Sequence, residues 1–520
     1  MAPLLQVFSQ ITSRGVAALA LTLGLSPAAW SADLFVDPVL GSDVTGTGTA
    51  SAPWKTITYT VAQMPAGGND IFLSAGDYSE ASGEVFPIAL SAGEQLSFNG
   101  AGQGATNIVG NGTSPSFSIG AIPSVFPSQE ISISVHNLTF ENSGIYYANG
   151  SSLAEVLVDD THFNNVVWTG IVVSSSSGGF GSAVIRDSVF SNCGWGVSAS
   201  AWASTTKVNL FDSVISNCGT GALADGGGNP FGPGYATITM TRCEVRACQK
   251  GSQGIGNDFD FLGIGAIHFV DSLITGNSIG FEGYDFSDLF LNSSTMAGNT
   301  EGVVVSAFQP ASTYLSFLGS ILWGNTFDVL SANVNQAQYS NVPAGIRGVG
   351  VTHVDPLFVD SAMGDFHLLS TSPLIDMGHP TYMAGQEWES DLDPRVVDGD
   401  LDGTKRVDMG FDEYNPAQLA LTTGTSINST ITLDTTGLAG GAYILAIGFG
   451  VAQVDLGPAG TVLIDPIGAV KLPAAPLPGS DSFAVPNVSA LIGIDLHAQA
   501  LTVLGPLAHL SNRIDLTIEP

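Results

Sequence analysis

The chain has 520 residues, of which only 11% are charged, yet its formal net charge is −33. Its 13 lysines and arginines face 46 aspartates and glutamates, too few for the phosphate contacts of a nucleic-acid binder, whereas divalent cations suit such a surface. The 64 glycines and a mean hydropathy of +0.29, with Ser, Thr and Asn throughout, indicate a turn-rich, strand-rich fold rather than helices or disorder.

At the N-terminus, the apolar run "GVAALALTLGL" follows "MAPLLQVFSQITSR" and precedes "SPAAWSADLF". This pattern predicts a signal peptide over residues 1–31, with Ala29 and Ser31 as the small residues before the cleavage site. The run is too short to span a bilayer, and the Gly-rich stretch 437–457 reads as sheet core. The expected mature protein is secreted or held at the cell surface, a monomer without a transmembrane span.

From residue 81 to 354 the chain repeats itself. "RDSVFSNCGWGV" at Arg186 returns as "FDSVISNCGTGA" at Phe211. One apolar position recurs at Phe140, Phe163, Phe190, Ile215, Val245, Ile274, Met296 and Leu322, at intervals of 23, 27, 25, 30, 29, 22 and 26 residues. A small residue stands two places before it, as at Thr161, Ser188, Ser213 and Cys243, and a Gly follows, as at Gly170, Gly196, Gly221 and Gly251. Units this short, with no helical period, predict the coils of a parallel β-helix. Stacking then places Asn142, Asn165, Asn192 and Asn217 above one another at a turn, where Asn tolerates left-handed backbone. The next slot holds Cys193, Cys218, Cys248, Asn277, Asn299 and Asn325, for which an amide ladder is expected. Cys193 and Cys218 fall on adjacent coils, either bridged or as small buried fillers.

The two longest intervals insert "ADGGGNPFGPGY" (224–235) and "SQGIGNDFDFLG" (252–263), and the next coil adds "EGYDFSDLF" (282–290). These loops are expected on one side of neighbouring coils, gathering Asp225, Asp258, Asp260, Asp285 and Asp288 with Phe231, Tyr235, Phe259 and Tyr284. Carboxylates beside aromatic rings suit a glycan, since rings stack on sugar faces and acids accept hydroxyl hydrogen bonds or hold Ca²⁺. For a cleavage chemistry the candidates are Asp258, Asp260, Arg246 and Lys250, against a reading of Arg242, Arg246 and Lys250 as surface ion pairs.

Further on, "DGDLDG" sets Asp398, Asp400 and Asp402 at alternate positions before Gly403, like the start of a Ca²⁺ loop. Position twelve is Met409, so Asp408 or Asp412 would have to complete the ligand set, and the alternative is an acidic linker. Residues 415–520 lose the coil pattern and read as a small β-sandwich.

The coils, with two further segments, resemble secreted right-handed parallel β-helix proteins of the pectin-lyase-like type. "LFVDPVLGSDVTGTGTASAPWKTITYTVAQMPAGGNDIFLSAGDYSE" is similar to the N-terminal cap of many bacterial members, giving a cap and first coil over 32–80. That resemblance implies a strand, a turn, the box Pro53–Ile57, a short helix, and a first coil ending at Gly76–Tyr78. "VDPLFVDSAMGDFHLLSTSPLIDMG" and "DLDPRVVDGDLDGTKRVDMGFDEY" resemble the closing segment of choice-of-anchor proteins, here 355–414. The implied fold is an all-β chain, a right-handed parallel β-helix followed by a small β-sandwich. The implied functions diverge: a glycan-binding scaffold, a polysaccharide lyase or glycoside hydrolase, or an adhesin-like structural repeat protein.

Overall fold

The computed structural model describes residues 32–520 apart from 66–67, 92–94, 114, 121–130, 150–152, 177, 229–231, 257–262, 307–312, 331–333, 381–394, 403, 439, 457–458, 460 and 506. The expected signal peptide therefore lies outside the described residues. Among them, 20 strands form one parallel sheet and ten form a second. A turn of chain gives the first sheet a long run and a short one and the second sheet a single run, as in Thr205–Phe211, Val214–Ser216 and Thr220–Gly227. Each run pairs in parallel with its counterpart one turn on, so the fold is a three-faced parallel β-helix. The predicted apolar column is in register from Phe140 to Leu322. All eight of its side chains are fully buried. Phe140, Phe163 and Phe190 stack nearly parallel at 4.9 and 4.8 Å.

Two sharp bends per turn make the faces. The first lies at a left-handed residue such as Asp160, Asp187, Asp212 or Asp271, the second at Asn142, Asn165, Asn192, Asn217 or Gly276. Asn, Asp and Gly enter that region at least cost. The N–H just after each bend faces inward. At the first bend the hydroxyl one turn on accepts it: Thr161 to Ser188, Ser188 to Ser213, Ser272 to Ser294, Ser294 to Ser320 and Ser320 to Ser340, at 3.1–3.2 Å. That is why the slot two places before the apolar column holds small hydroxyl residues.

The second bend uses the expected amide ladder. The N–H groups of Cys248, Asn277 and Asn299 donate to Oδ1 of Asn277, Asn299 and Asn325, each at 2.9 Å. Asn325 ends the ladder on the Asp328 carboxylate. Cys193, Cys218 and Cys248 fill the same slot with free, buried thiols, and Cys218 N–H donates to Cys248 Sγ at 3.4 Å. The glycine column has a steric cause. A Cβ at Gly196, Gly221 or Gly251 would lie 2.4–2.7 Å from the carbonyl oxygen of the glycine one turn on.

At the N-terminal end the helix Ile57–Gln63 packs Ile57 into the main core. Its first N–H groups, on Ile57 and Thr58, donate to the Glu84 carboxylate, and Thr56 Oγ1 accepts from Tyr59. The helix N-terminus is thereby satisfied. The described residues of the segment 355–415 pack along the side of the helix, on the short face formed by Leu273–Thr275, Thr295–Ala297 and Ile321–Trp323. Phe366 and Phe411 pack on Leu273 and Ala297, while Leu374 and Met409 pack on Ile321. Beyond them two antiparallel sheets share one core, with Leu419, Ile431 and Leu433 from one and Tyr443, Leu445 and Ala500 from the other.

Asn299→Ala strands two buried donors on Asn277 and removes the Nδ2 bond from Asn299 to Asn325. At ~1–3 kcal/mol per unsatisfied buried group, the melting temperature should fall by several degrees. Thermal unfolding of the purified variant by circular dichroism measures this, and an unchanged melting temperature would contradict the ladder's role.

Candidate functional site

Residues predicted on the long loops divide between two faces. Asp225 lies on the outer side of the ten-stranded sheet, in register with Ile255 and, one turn further, with Tyr284. Tyr235 opens a strand of the other sheet, 44% exposed between Thr205 and Ile264, and Asp288 lies in that sheet beside Ala266 and Tyr314. Asp285 falls between the two faces, just after Tyr284. The split follows from chain path, because each loop leaves one sheet and re-enters the other. Phe231, Asp258, Phe259 and Asp260 lie outside the described residues.

The basic residues separate as well. Arg242 binds Asp212 bidentately at 2.6 and 2.7 Å, and Arg246 binds Glu244 at 2.7 Å. Both are surface ion pairs, and Arg246 lies on the short face, away from Asp225. Lys250 differs. It begins a strand of the ten-stranded sheet, and its Nζ lies 2.6 Å from Glu282 Oε2.

Glu282 is the centre of this face. Only 7% exposed, it accepts hydrogen bonds from Gln253 Nε2 at 3.1 Å and Tyr284 OH at 2.9 Å besides its bond to Lys250. Lys250 Nζ also lies 5.9 Å from the centre of the Tyr284 ring. Burial, then the bond to Glu282, pushes the Tyr284 hydroxyl above its ordinary range. Burial alone raises the Asp225 carboxyl. The sequence reading passed over Gln253 and Glu282. The signal was present in "EGY", since residues two apart on a strand share a face.

Residues 39–301 match the family described as a protein of unknown function, DUF1565. The chain belongs to that family. It is often found in β-helix proteins, and the match covers every turn carrying Asp225, Lys250, Gln253, Glu282 and Tyr284. No curated protein matches the chain. The matched stretch ends before the closing segment, whose carboxylates form the second candidate centre.

There, Asp376, Asp398 and Asp400 each bring a carboxylate oxygen within 4.8 Å of the others. That spread fits one hard cation, whose ligands lie about 2.3–2.6 Å from it. Of the predicted set, Asp398 and Asp400 belong to this group. Asp402 turns to solvent and accepts the Thr404 N–H at 2.7 Å. Asp408 is fully buried and gives both oxygens to backbone N–H groups, of Asp376 at 2.6 Å and Tyr414 at 2.7 Å. Asp376 comes from 22 residues upstream and has no place in the alternating-Asp pattern. Among the described residues no helix is long and apolar enough to cross a membrane.

Burial pushes the Asp288 carboxyl up to about 6 from an ordinary 3.8, against a lowering hydrogen bond from Tyr314 N–H. The native state keeps a proton that the unfolded chain releases, so this group's contribution to stability falls as pH rises from about 4 to about 6. Asp288→Asn should flatten that part of the stability profile and melt higher than the parent at pH 7. Melting curves at pH 4 and pH 7 test it; equal pH dependence in both proteins would contradict the assignment.

Proposed function

We propose that the protein is an exported β-helix scaffold that binds a glycan on the outer face of its ten-stranded sheet. The observation carrying this reading is the cluster of Lys250, Gln253, Glu282 and Tyr284, with Asp225 in register on the same face. Carboxylate, amide and ammonium groups held by mutual hydrogen bonds beside a phenol ring supply the donors, acceptors and stacking surface that sugar hydroxyls and ring faces need. Export rests on the N-terminal sequence pattern.

Binding is favoured over cleavage by distance. Asp225 and Glu282 stand two turns and two residues apart, a backbone separation of about 12 Å at a strand spacing of about 4.8 Å and a rise of about 3.3 Å per residue. A glycosidase sets its two carboxyl groups about 5–9.5 Å apart. Lys250, engaged by Glu282 at 2.6 Å, is poorly suited to act as a lyase base.

The test is titration calorimetry against a polysaccharide panel, alongside assays for new reducing ends and for the ultraviolet absorbance of unsaturated products. The expected result is binding without product, weakened about tenfold or more by Tyr284→Ala. Product formation would replace this reading with a lyase or hydrolase, and the absence of any binding with an adhesin-like structural role.

Calcium in the closing segment belongs to the same proposal, with Asp376, Asp398 and Asp400 as its protein ligands. Millimolar CaCl₂ should raise the melting temperature relative to EGTA, and Asp400→Ala should abolish the difference. Identical melting in both buffers would remove calcium from the account.

A further inference from the structure

Two tryptophans stand just after the second bend on successive turns, and a tyrosine lies in the adjoining strand of the turn before them. Tyr146, Trp168 and Trp195 belong to three successive turns and are 40%, 64% and 39% exposed. Trp195 N–H donates to the Trp168 carbonyl at 2.6 Å, and Tyr146 lies in register with Val172 and Ser198 on the same sheet. Each of the three rings is more than a third exposed, leaving part of its surface for contact with a ligand. Beside them is a cavity of about 110 Å³, lined by Gly112, Pro115, Asn142, Tyr146, Val167 and Trp168. None of these rings serves the core, whose aromatic members on these turns are Tyr147, Phe140, Phe163 and Phe190.

Register ties these rings to the site already described. The Trp195 position is occupied by Thr220 on the next turn and by Lys250 on the one after. Trp195 thus shares a column along the solenoid axis with Lys250, while Tyr146, three residues further along the strand, heads a parallel column through Val172, Ser198 and Leu223 to Gln253 and Glu282. Trp168 directly precedes Thr169, the register partner of Trp195, so the two indoles belong to neighbouring turns that advance by about 4.8 Å along the axis. This is close to the advance per residue of an extended β-1,4-linked pyranose chain. The charge selects among such chains. A molecule of formal charge −33 repels uronate and sulfate polymers, while exposed aromatic rings favour uncharged sugars.

We infer that the ligand is a neutral β-1,4-linked glycan lying parallel to the solenoid axis, with Trp168 and Trp195 stacking on consecutive sugar rings. This rests on the glycan-binding reading and adds to it the ligand class, its direction and two binding residues. Both tryptophans are exposed, so their replacement leaves the core intact.

Calorimetry with cellohexaose and mannohexaose, and with a galacturonate hexamer as the anionic comparison, tests the inference on the full chain. At least one neutral hexamer should bind more tightly than the galacturonate hexamer. Trp168→Ala and Trp195→Ala should each raise its Kd about tenfold without changing the melting temperature, and Trp195→Phe should retain most of the affinity. Neutral-hexamer binding that both alanine variants leave unchanged would overturn the aromatic platform while keeping the glycan-binding reading, as would preference for the galacturonate hexamer. Failure to bind any glycan of the wider panel would overturn both.

Discussion

Everything in the β-helix depends on what happens to one backbone N–H at each bend. A left-handed residue turns the chain sharply, and the next N–H points into the bend, off the line of the sheet ladders. Left unpaired in the interior, each would cost about 1–3 kcal/mol. With two bends per turn, the sum would exceed the stability of an ordinary domain. The chain answers with side chains one turn on: hydroxyls at the first bend, amides and thiols at the second. Because these acceptors belong to the neighbouring turn, those turns do not satisfy their own bends, whereas Asn325 at the end of the ladder uses Asp328 of its own turn. The fold is cooperative along its axis for that reason as well as through its apolar core.

The same constraint decides where the sequence is free. Inward positions are held by stacking, and the glycine column by the carbonyl of the next turn. Outward positions on the ten-stranded sheet carry no such duty, so the column of Trp195, Thr220, Lys250, Ile279, Glu301 and Phe327 changes at every step. Variation there is what allows an indole at Trp195 and an ammonium at Lys250 to stand two turns apart in one column. Chemistry on this scaffold is placed by departures from the repeat on its outer surface.

The β-helix was legible in the sequence because stacking forces like residues to like corners. The spacing alone identified the apolar column, the left-handed asparagines and the amide ladder, and the structure keeps all of them in register. The purpose of the small residue before the column was not legible, since it lies in a hydrogen bond to another turn. Site residues were harder for a related reason. Asp225, Tyr235, Asp285 and Asp288 are close in coil phase, yet a bend separates residues that a linear reading groups together. Lys250 was noticed and Glu282 was not, although their contact at 2.6 Å organises the face. Likewise Asp376 joins Asp398 and Asp400 only through the folded path of the closing segment.

That segment also acts as a gauge of length. It holds the solenoid at three consecutive turns: Arg395 faces Asp271, Phe411 N–H donates to Thr295 Oγ1, and Gly410 N–H donates to the Gly319 carbonyl. Those anchor points are fixed relative to one another along the strap. Duplicating or deleting a turn between 271 and 319 would move one anchor by a full turn, about 4.8 Å, and break the match. Upstream of Asp271 no such clamp is present among the described residues, and a turn gained or lost there shifts everything after it as one body. The molecule can thus lengthen or shorten by whole turns on the side that bears Trp168 and Trp195 while the strapped end stays constant.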